Sequence, residues 1–365
     1  MSRSAETGGG SRPSLTKSAD RENAGYSPSK GHLLKTPVTA RDGVRLRREG
    51  TRETMHGTEA LDVRTALHAF HDYLRDKEDV SLVFEDPETG SRVLGENAHR
   101  WTESYENREY ALLCDFERGL RADYGKNATV ALTTLSGSSR LEDGAPRPLL
   151  DHLDDVLEGY EPAMRAVHRE LEERGLEWEY VRILEPHKSG YIHVHVGVFV
   201  RGVVPAEAFQ PMMDAHVRNS PIAGEEAHQI RPDEPSRSAV SLHRIGTDRE
   251  TGDLESVSSY LSEYLGTFDE DPREAPFHKQ VADMALWLSG RRRRVFSQGA
   301  RRYTSRALPV VESPWVFAGL EDGEGEFHEV PSGGGGVDMV TTWTADRGPP
   351  PPSGERHETR QTRLR

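Results

Sequence analysis

The segment Glu185-Pro-His187-Lys188-Ser-Gly190-Tyr-Ile-His193-Val-His195-Val-Gly-Val-Phe-Val200 decides how this chain is read. From Ile192 onward it is apolar and β-branched, the composition of a strand. Side chains alternate along a strand, so His193 and His195 face one side and Val194 and Val196 the other. Tyr180 to Glu185 reads as a preceding strand, and the Pro-His-Lys-Ser-Gly turn joins the two as a hairpin. The hairpin brings the Glu185 carboxylate beside both imidazoles. Two imidazoles and one carboxylate, with positions left for water and phosphate oxygens, suit Mg²⁺ or Mn²⁺. A His-x-His pair alone also occurs as surface or packing histidines; Glu185 and the turn set this one apart.

Downstream, Asp253 to Gly266 reads as an amphipathic helix, with Leu254, Val257, Leu261 and Leu265 at spacings of three and four. Asp253 or Thr251 can cap it and Gly266 can end it. Tyr260 and Tyr264 share one face, about 6 Å apart. Two phenols so placed can alternate at one phosphate; the bland alternative is that both pack against the sheet.

Taken together, these segments resemble the HUH endonucleases, the rolling-circle replication initiators of the phage gene A type and of haloarchaeal plasmids and viruses. Three ordered motifs carry the resemblance. Val130-Ala-Leu-Thr133-Thr134-Leu135-Ser136 matches the first. Glu185, Pro186, His187, Gly190, His193 and His195 match the second, which is the specific one. Tyr260 and Tyr264 match the Tyr-x-x-x-Tyr of the third. Glu263 stands where the family usually has lysine before the second tyrosine, so phosphate contact falls to an arginine or the metal.

The resemblance implies an α+β fold, a mostly antiparallel sheet with helices packed on it and an RRM-like core. It implies metal-dependent nicking and rejoining of single-stranded DNA. His193, His195 and Glu185 would hold the metal. Tyr260 would attack first, giving a 5′-phosphotyrosine and a 3′-OH, and Tyr264 would make a second cleavage; the reverse order is the alternative. His187, Lys188, Thr133 and Thr134 stand as supporting groups or DNA contacts. Two alternatives share or reject this chemistry: a two-tyrosine transposase or mobilisation relaxase, and a non-catalytic DNA-binding regulator.

Composition sets bounds. The chain has 365 residues, 34% of them hydrophobic, and a formal net charge of -14. Only seven of its 47 basic residues are lysines. A nucleic-acid binder normally carries a basic footprint, so an acidic, lysine-poor chain points to a halophilic source. In molar salt the Debye length is about 3 Å, and long-range steering of DNA fades. A local exception is Trp287 to Tyr303, where Arg291, Arg292, Arg293, Arg294, Arg301 and Arg302 interleave with aromatics. Such clusters bind phosphates and bases; four arginines in a row are also often a solvated loop. A single cysteine, Cys114, excludes an internal disulfide.

No apolar run approaches the roughly 20 residues of a membrane span, and the expectation is a cytoplasmic protein. The sequence holds no Gly-x-x-x-x-Gly-Lys-Ser/Thr phosphate loop. Expected partners are therefore single-stranded or hairpin origin DNA and a host helicase and polymerase.

Along the chain, residues 1–55 read as disordered. Residues 60–310 read as the endonuclease domain with accessory helices, its motif core at 128–268. Residues 311–330 contain a late strand, and 331–365 form a Gly/Pro-rich disordered tail. Within the domain the order strand, helices, hairpin, helix, strand, helix predicts an antiparallel sheet with helices on one face.

Overall fold

The computed structural model describes residues 30–48, 51–54, 61–125, 128–234, 237–244, 271–304 and 315–329. In chain order its elements are α1 (Lys30–Leu34), β1 (Arg45–Arg48), β2 (Thr51–Thr54), α2 (Val63–Glu78), β3 (Ser81–Glu85) and β4 (Arg92–Glu96). Then come α3 (Glu103–Tyr124), β5 (Ala128–Leu135), α4 (Leu149–Glu173), β6 (Trp178–Pro186), β7 (Ile192–Arg201) and α5 (Gln210–Asn219). The last are β8 (Val240–Arg244), α6 (Phe277–Ser289), β9 (Arg294–Phe296), α7 (Arg301–Thr304), β10 (Val316–Glu321) and β11 (Phe327–Glu329). This is an α+β chain in which each sheet of three or more strands is antiparallel throughout.

The chain divides into two compact units. Among the described residues, those up to Leu74 and from Ala98 to Thr304 form one, and those from Arg75 to Asn97 and from Trp315 to Glu329 the other. The smaller unit holds the sheet β11-β10-β3-β4. The strand at Ser81–Glu85 thus pairs with Val316–Glu321, far along the chain, rather than with the strands of the histidine hairpin.

The larger unit is built on the sheet β8-β5-β7-β6-β9, with β7 central. Its strands form for a simple reason: β5, β6 and β7 are dense in valine, isoleucine, leucine and threonine, which fit a pleated, buried surface. The sheet is covered on both faces, not one. Val194, Val196, Val198 and Val200 of β7 enter a core with Leu153, Val156 and Val167 of α4 and with Val281 and Ala285 of α6. Phe199, on the opposite face, packs with Val130, Val181 and Ile183 and with Leu113, Phe116 and Leu120 of α3. The Phe116 ring lies 4.9 Å from that of Phe199 and 5.0 Å from that of Phe296. Burying such a ring contributes on the order of 2 kcal/mol. The alternation of β7 is apolar on both sides away from its histidines, the pattern of a strand buried on both faces.

The turn between β6 and β7 is tight: the His187 N–H donates to Tyr191 O at 2.8 Å and the Gly190 N–H to His187 O at 2.8 Å. Gly190 has φ +88°, and a Cβ there would come within 3.1 Å of Val281 and 3.2 Å of Leu33. Only glycine meets both demands.

The reading of residues 1–55 as disordered is corrected for 30–48. Leu33, Val38 and Leu46 are buried in the main core. The Leu150 N–H donates to Val38 O at 2.8 Å, Thr39 Oγ1 donates to Asp151 Oδ1 at 2.5 Å, and the Ala40 N–H donates to Asp151 Oδ2 at 3.0 Å. Arg41 pairs with the buried Asp155. The segment has few apolar residues and no periodicity, so its order comes from partners on α4 more than a hundred residues away.

Candidate active site

The register of the sheet assembles the site. Glu185 of β6 stands opposite His193 of β7, and His195 stands opposite both Ile183 of β6 and Thr134 of β5. All of these except Ile183 are polar, and all share the face that carries Phe199. The Glu185 carboxylate pairs directly with His195 Nε2. His195 Nδ1 lies 3.2 Å from Thr134 Oγ1. One imidazole is thus held at both nitrogens, by a carboxylate on one strand and a hydroxyl on another.

His193 completes the set. Its ring centroid is 6.3 Å from that of His195 and 4.8 Å from that of His187 in the turn. Burial holds the His193 imidazole well below the ordinary histidine range, and His187, His195, His152 and His228 push the same way. It is therefore neutral at pH 7, the state in which an imidazole donates a lone pair. The donor set fits a divalent cation by its chemistry: two imidazoles and one carboxylate on a single face. His195 and Glu185 are already in contact, whereas His193 is not drawn as close. Among the described residues, the set with three donor atoms all within 4.8 Å of one another is Asp322, Glu326 and His328 in the smaller unit. Those residues are tied into an exposed turn. Asp322 Oδ1 accepts from the Glu326 N–H at 2.8 Å and Oδ2 lies 2.9 Å from His328 Nε2.

The remaining sequence candidates separate. Thr134 joins the imidazoles. Thr133 does not: it is buried and donates to Val196 O at 3.1 Å. Its neighbour took the site face because successive residues of a strand point opposite ways. The His187 ring is held in the turn, where Nδ1 lies 2.8 Å from Ser189 Oγ and accepts the Ser189 N–H at 3.2 Å. Lys188 is exposed. Tyr260 and Tyr264, with the helix read at 253–266, lie outside the described residues.

The arginine cluster divides too. Arg291, Arg292, Arg301 and Arg302 are exposed. Arg291 pairs with Asp154 at 2.9 Å and Arg302 with Asp123 at 3.4 Å. Arg293 and Arg294 turn inward, to Asp283 and Glu109 respectively, with 18% and 6% of their side chains exposed. For these two, a surface DNA contact gives way to internal ion pairing. Only Arg294 of the run lies in a strand, the edge strand β9; it and Arg293 both turn inward because α3 and α6 present them carboxylates, Glu109 and Asp283.

Three groups near the site were not evident from sequence: His152, His216 and His228. All three are buried, and each bonds the chain just after β5. Isolated histidines within helices and turns give no local signal of a shared target.

The fold is thus that of an α+β protein whose central strands bring Glu185, His193, His195 and Thr134 to one face. The chain belongs to the family described as "Putative rep protein (DUF1424)", which matches residues 37–310, and is thus Rep-like. It is 39% identical over 255 residues to an "Uncharacterized 36 kDa protein" of Halobacterium salinarum, covering 70% of this chain and 80% of that one. It is 37% identical over 289 residues to a protein of the same description from Halobacterium sp. (strain GN101), covering 76% of this chain and 87% of that one. The haloarchaeal relatives agree with the acidic, lysine-poor composition. No solved structure matches the chain significantly. No described helix is long and apolar enough to cross a membrane.

Proposed function

We propose that this protein nicks and rejoins single-stranded DNA at a replication origin through a tyrosine–DNA intermediate, initiating rolling-circle replication of a haloarchaeal plasmid or virus. The observation that carries the reading is the shared face of Glu185, His193, His195 and Thr134 on three adjacent strands, in a chain of a Rep-like family. Glu185, His193 and His195 are the residues that would hold Mg²⁺ or Mn²⁺, which when bound neutralises charge on the scissile phosphate.

The chain's own residues do the rest. Thr134 fixes the orientation of the His195 ring at Nδ1, which leaves Nε2, the nitrogen facing the Glu185 carboxylate, for the cation. Burial keeps His193 neutral. The Tyr260 hydroxyl loses its proton and its oxygen attacks phosphorus. The P–O3′ bond breaks, and the departing 3′ oxygen takes up a proton to become the 3′-OH that primes synthesis. The new tyrosine–phosphate ester keeps the bond energy, so rejoining needs no nucleotide. Tyr264 serves the second cleavage, when the replicated strand is released. Origin DNA is the partner, with exposed Arg291, Arg292, Arg301 and Arg302 available to its phosphates and a host helicase and polymerase acting downstream.

The test is an adduct assay with a labelled single-stranded origin oligonucleotide and Mn²⁺ in high salt. A covalent protein–DNA band is expected from the wild type and not from His193→Ala, His195→Ala or the Tyr260→Phe/Tyr264→Phe double variant. Mass mapping of the conjugated peptide identifies the attacking residue. Full adduct formation in EDTA, or by the double tyrosine variant, would overturn the proposal.

A further inference from the structure

The chain leaves β5 after Leu135, whose ladder partner is Val194. Beyond that pair the backbone of Ser136 and Gly137 has no place in the sheet, yet it lies beside buried elements. Three imidazoles from three separate segments take it up. The Ser136 N–H donates to His228 Nε2 at 3.1 Å, while His228 Nδ1 lies 2.7 Å from Gly224 O. His216 Nε2 lies 3.2 Å from Ser136 O. His152 Nε2 lies 3.2 Å from Gly137 O. Each contact fixes a tautomer: His228 carries its proton on Nδ1, and His216 and His152 carry theirs on Nε2. The His216 and His228 rings are 4.8 Å apart, so the Ser136 peptide groups are bound by an adjacent pair.

The fit around these rings is close. A Cβ at Gly159 of α4 would lie 2.5 Å from His216 Nδ1, and one at Gly137 would lie 2.5 Å from Ile222. Two residues before Ser136 is Thr134, whose hydroxyl meets His195. Thr134 is itself paired, opposite His195 and with its N–H donating to Ala239 O at 3.0 Å, but the chain beyond Leu135 has no ladder, and backbone without one frays back into the strand end. Here it is pinned next to the residue that orients a candidate metal ligand.

Resting on the metal reading above, we infer that His216 and His228 are positioning residues: they clamp the Ser136 peptide and thereby hold Thr134 against His195. Groups that orient a ligand in this way change metal affinity by about 10- to 100-fold when removed.

The experiment measures Mn²⁺ affinity by titration, without DNA, in the full chain in high salt, with circular dichroism and Tm recorded in parallel. His228→Ala and Thr134→Val are each expected to weaken Mn²⁺ binding about tenfold, and the double variant to lose no more than either alone. Losses that multiply in the double variant, or wild-type affinity in folded His228→Ala, would overturn the clamp. Should His228→Ala not fold, His228→Leu, which fills the space without an acceptor, replaces it. If neither folds, His228 serves the fold and the positioning role is rejected. His195→Ala separates the two proposals: if it binds Mn²⁺ like the wild type, the metal reading itself fails.

Discussion

Buried histidines make this protein sensitive to acid. Burial pushes His152 down to about 4, offset by its bond to Gly137 O and reinforced by Arg147 and His187. Burial, followed by His228, pushes His216 down to about 4. An unfolded histidine titrates near 6.5. Between those values the unfolded chain binds more protons than the folded one, so stability rises with pH in that window and is lost on acidification. The expected loss approaches about 3 kcal/mol per histidine as an upper figure. Denaturant midpoints should fall between about pH 7 and about pH 4.5, less steeply in His216→Asn. Equal slopes in variant and wild type would contradict this. Arg294 gives a second prediction at this scale. Breaking its buried pair with Glu109 by Arg294→Ala should cost about 3 kcal/mol and lower Tm; unchanged Tm with weakened DNA binding would instead make it a surface DNA contact.

At the scale of elements, α4 and α5 set the positions of His152 and His216. Helix α4 runs unbroken from Leu149 to Glu173 through Pro162 and lies against α5. The close approach depends on Gly159, where a Cβ would also meet Ser220 Cβ at 2.8 Å and His216 O at 2.9 Å. Gly159→Ala should therefore destabilise by about 1–3 kcal/mol despite alanine's better helix propensity. Chemical denaturation checks it; a stabilised variant would show that the helices part at no cost. The elements themselves were largely legible in advance. The β5 strand, the hairpin and the succession of helices and strands around them follow from composition and periodicity, which local backbone preference obeys. The strand at Arg92–Glu96 and the short β9 were not foreseen. Both are short, and each forms because a neighbouring strand, β3 or β6, offers a ladder. Thr134 against Thr133 was likewise undecided until the register with His195 was known.

Across the whole molecule, charge sets the working conditions. A formal net charge of -14 produces self-repulsion that salt relieves. Tm should rise from about 0.2 M to about 3 M KCl, where the Debye length falls from roughly 7 Å to roughly 2 Å. A Tm that is flat or falls across that range would count against a halophilic design. Many exposed arginines already have acidic neighbours, as Arg291 has Asp154 and Arg302 has Asp123. DNA would have to compete for them, which places recognition on close contacts rather than on a basic field.

The sequence by itself determined the α+β class, the central hairpin and the side of β7 on which both histidines lie, because strand alternation is a local rule. Tertiary structure alone decided three things. Residues 30–48 became part of the core through Asp151 and Asp155. The arginine run divided into inward and outward members. Three scattered histidines met at Ser136 and Gly137. Each depends on contacts between residues far apart in the chain, and neither spacing nor composition encodes which distant surfaces will come together.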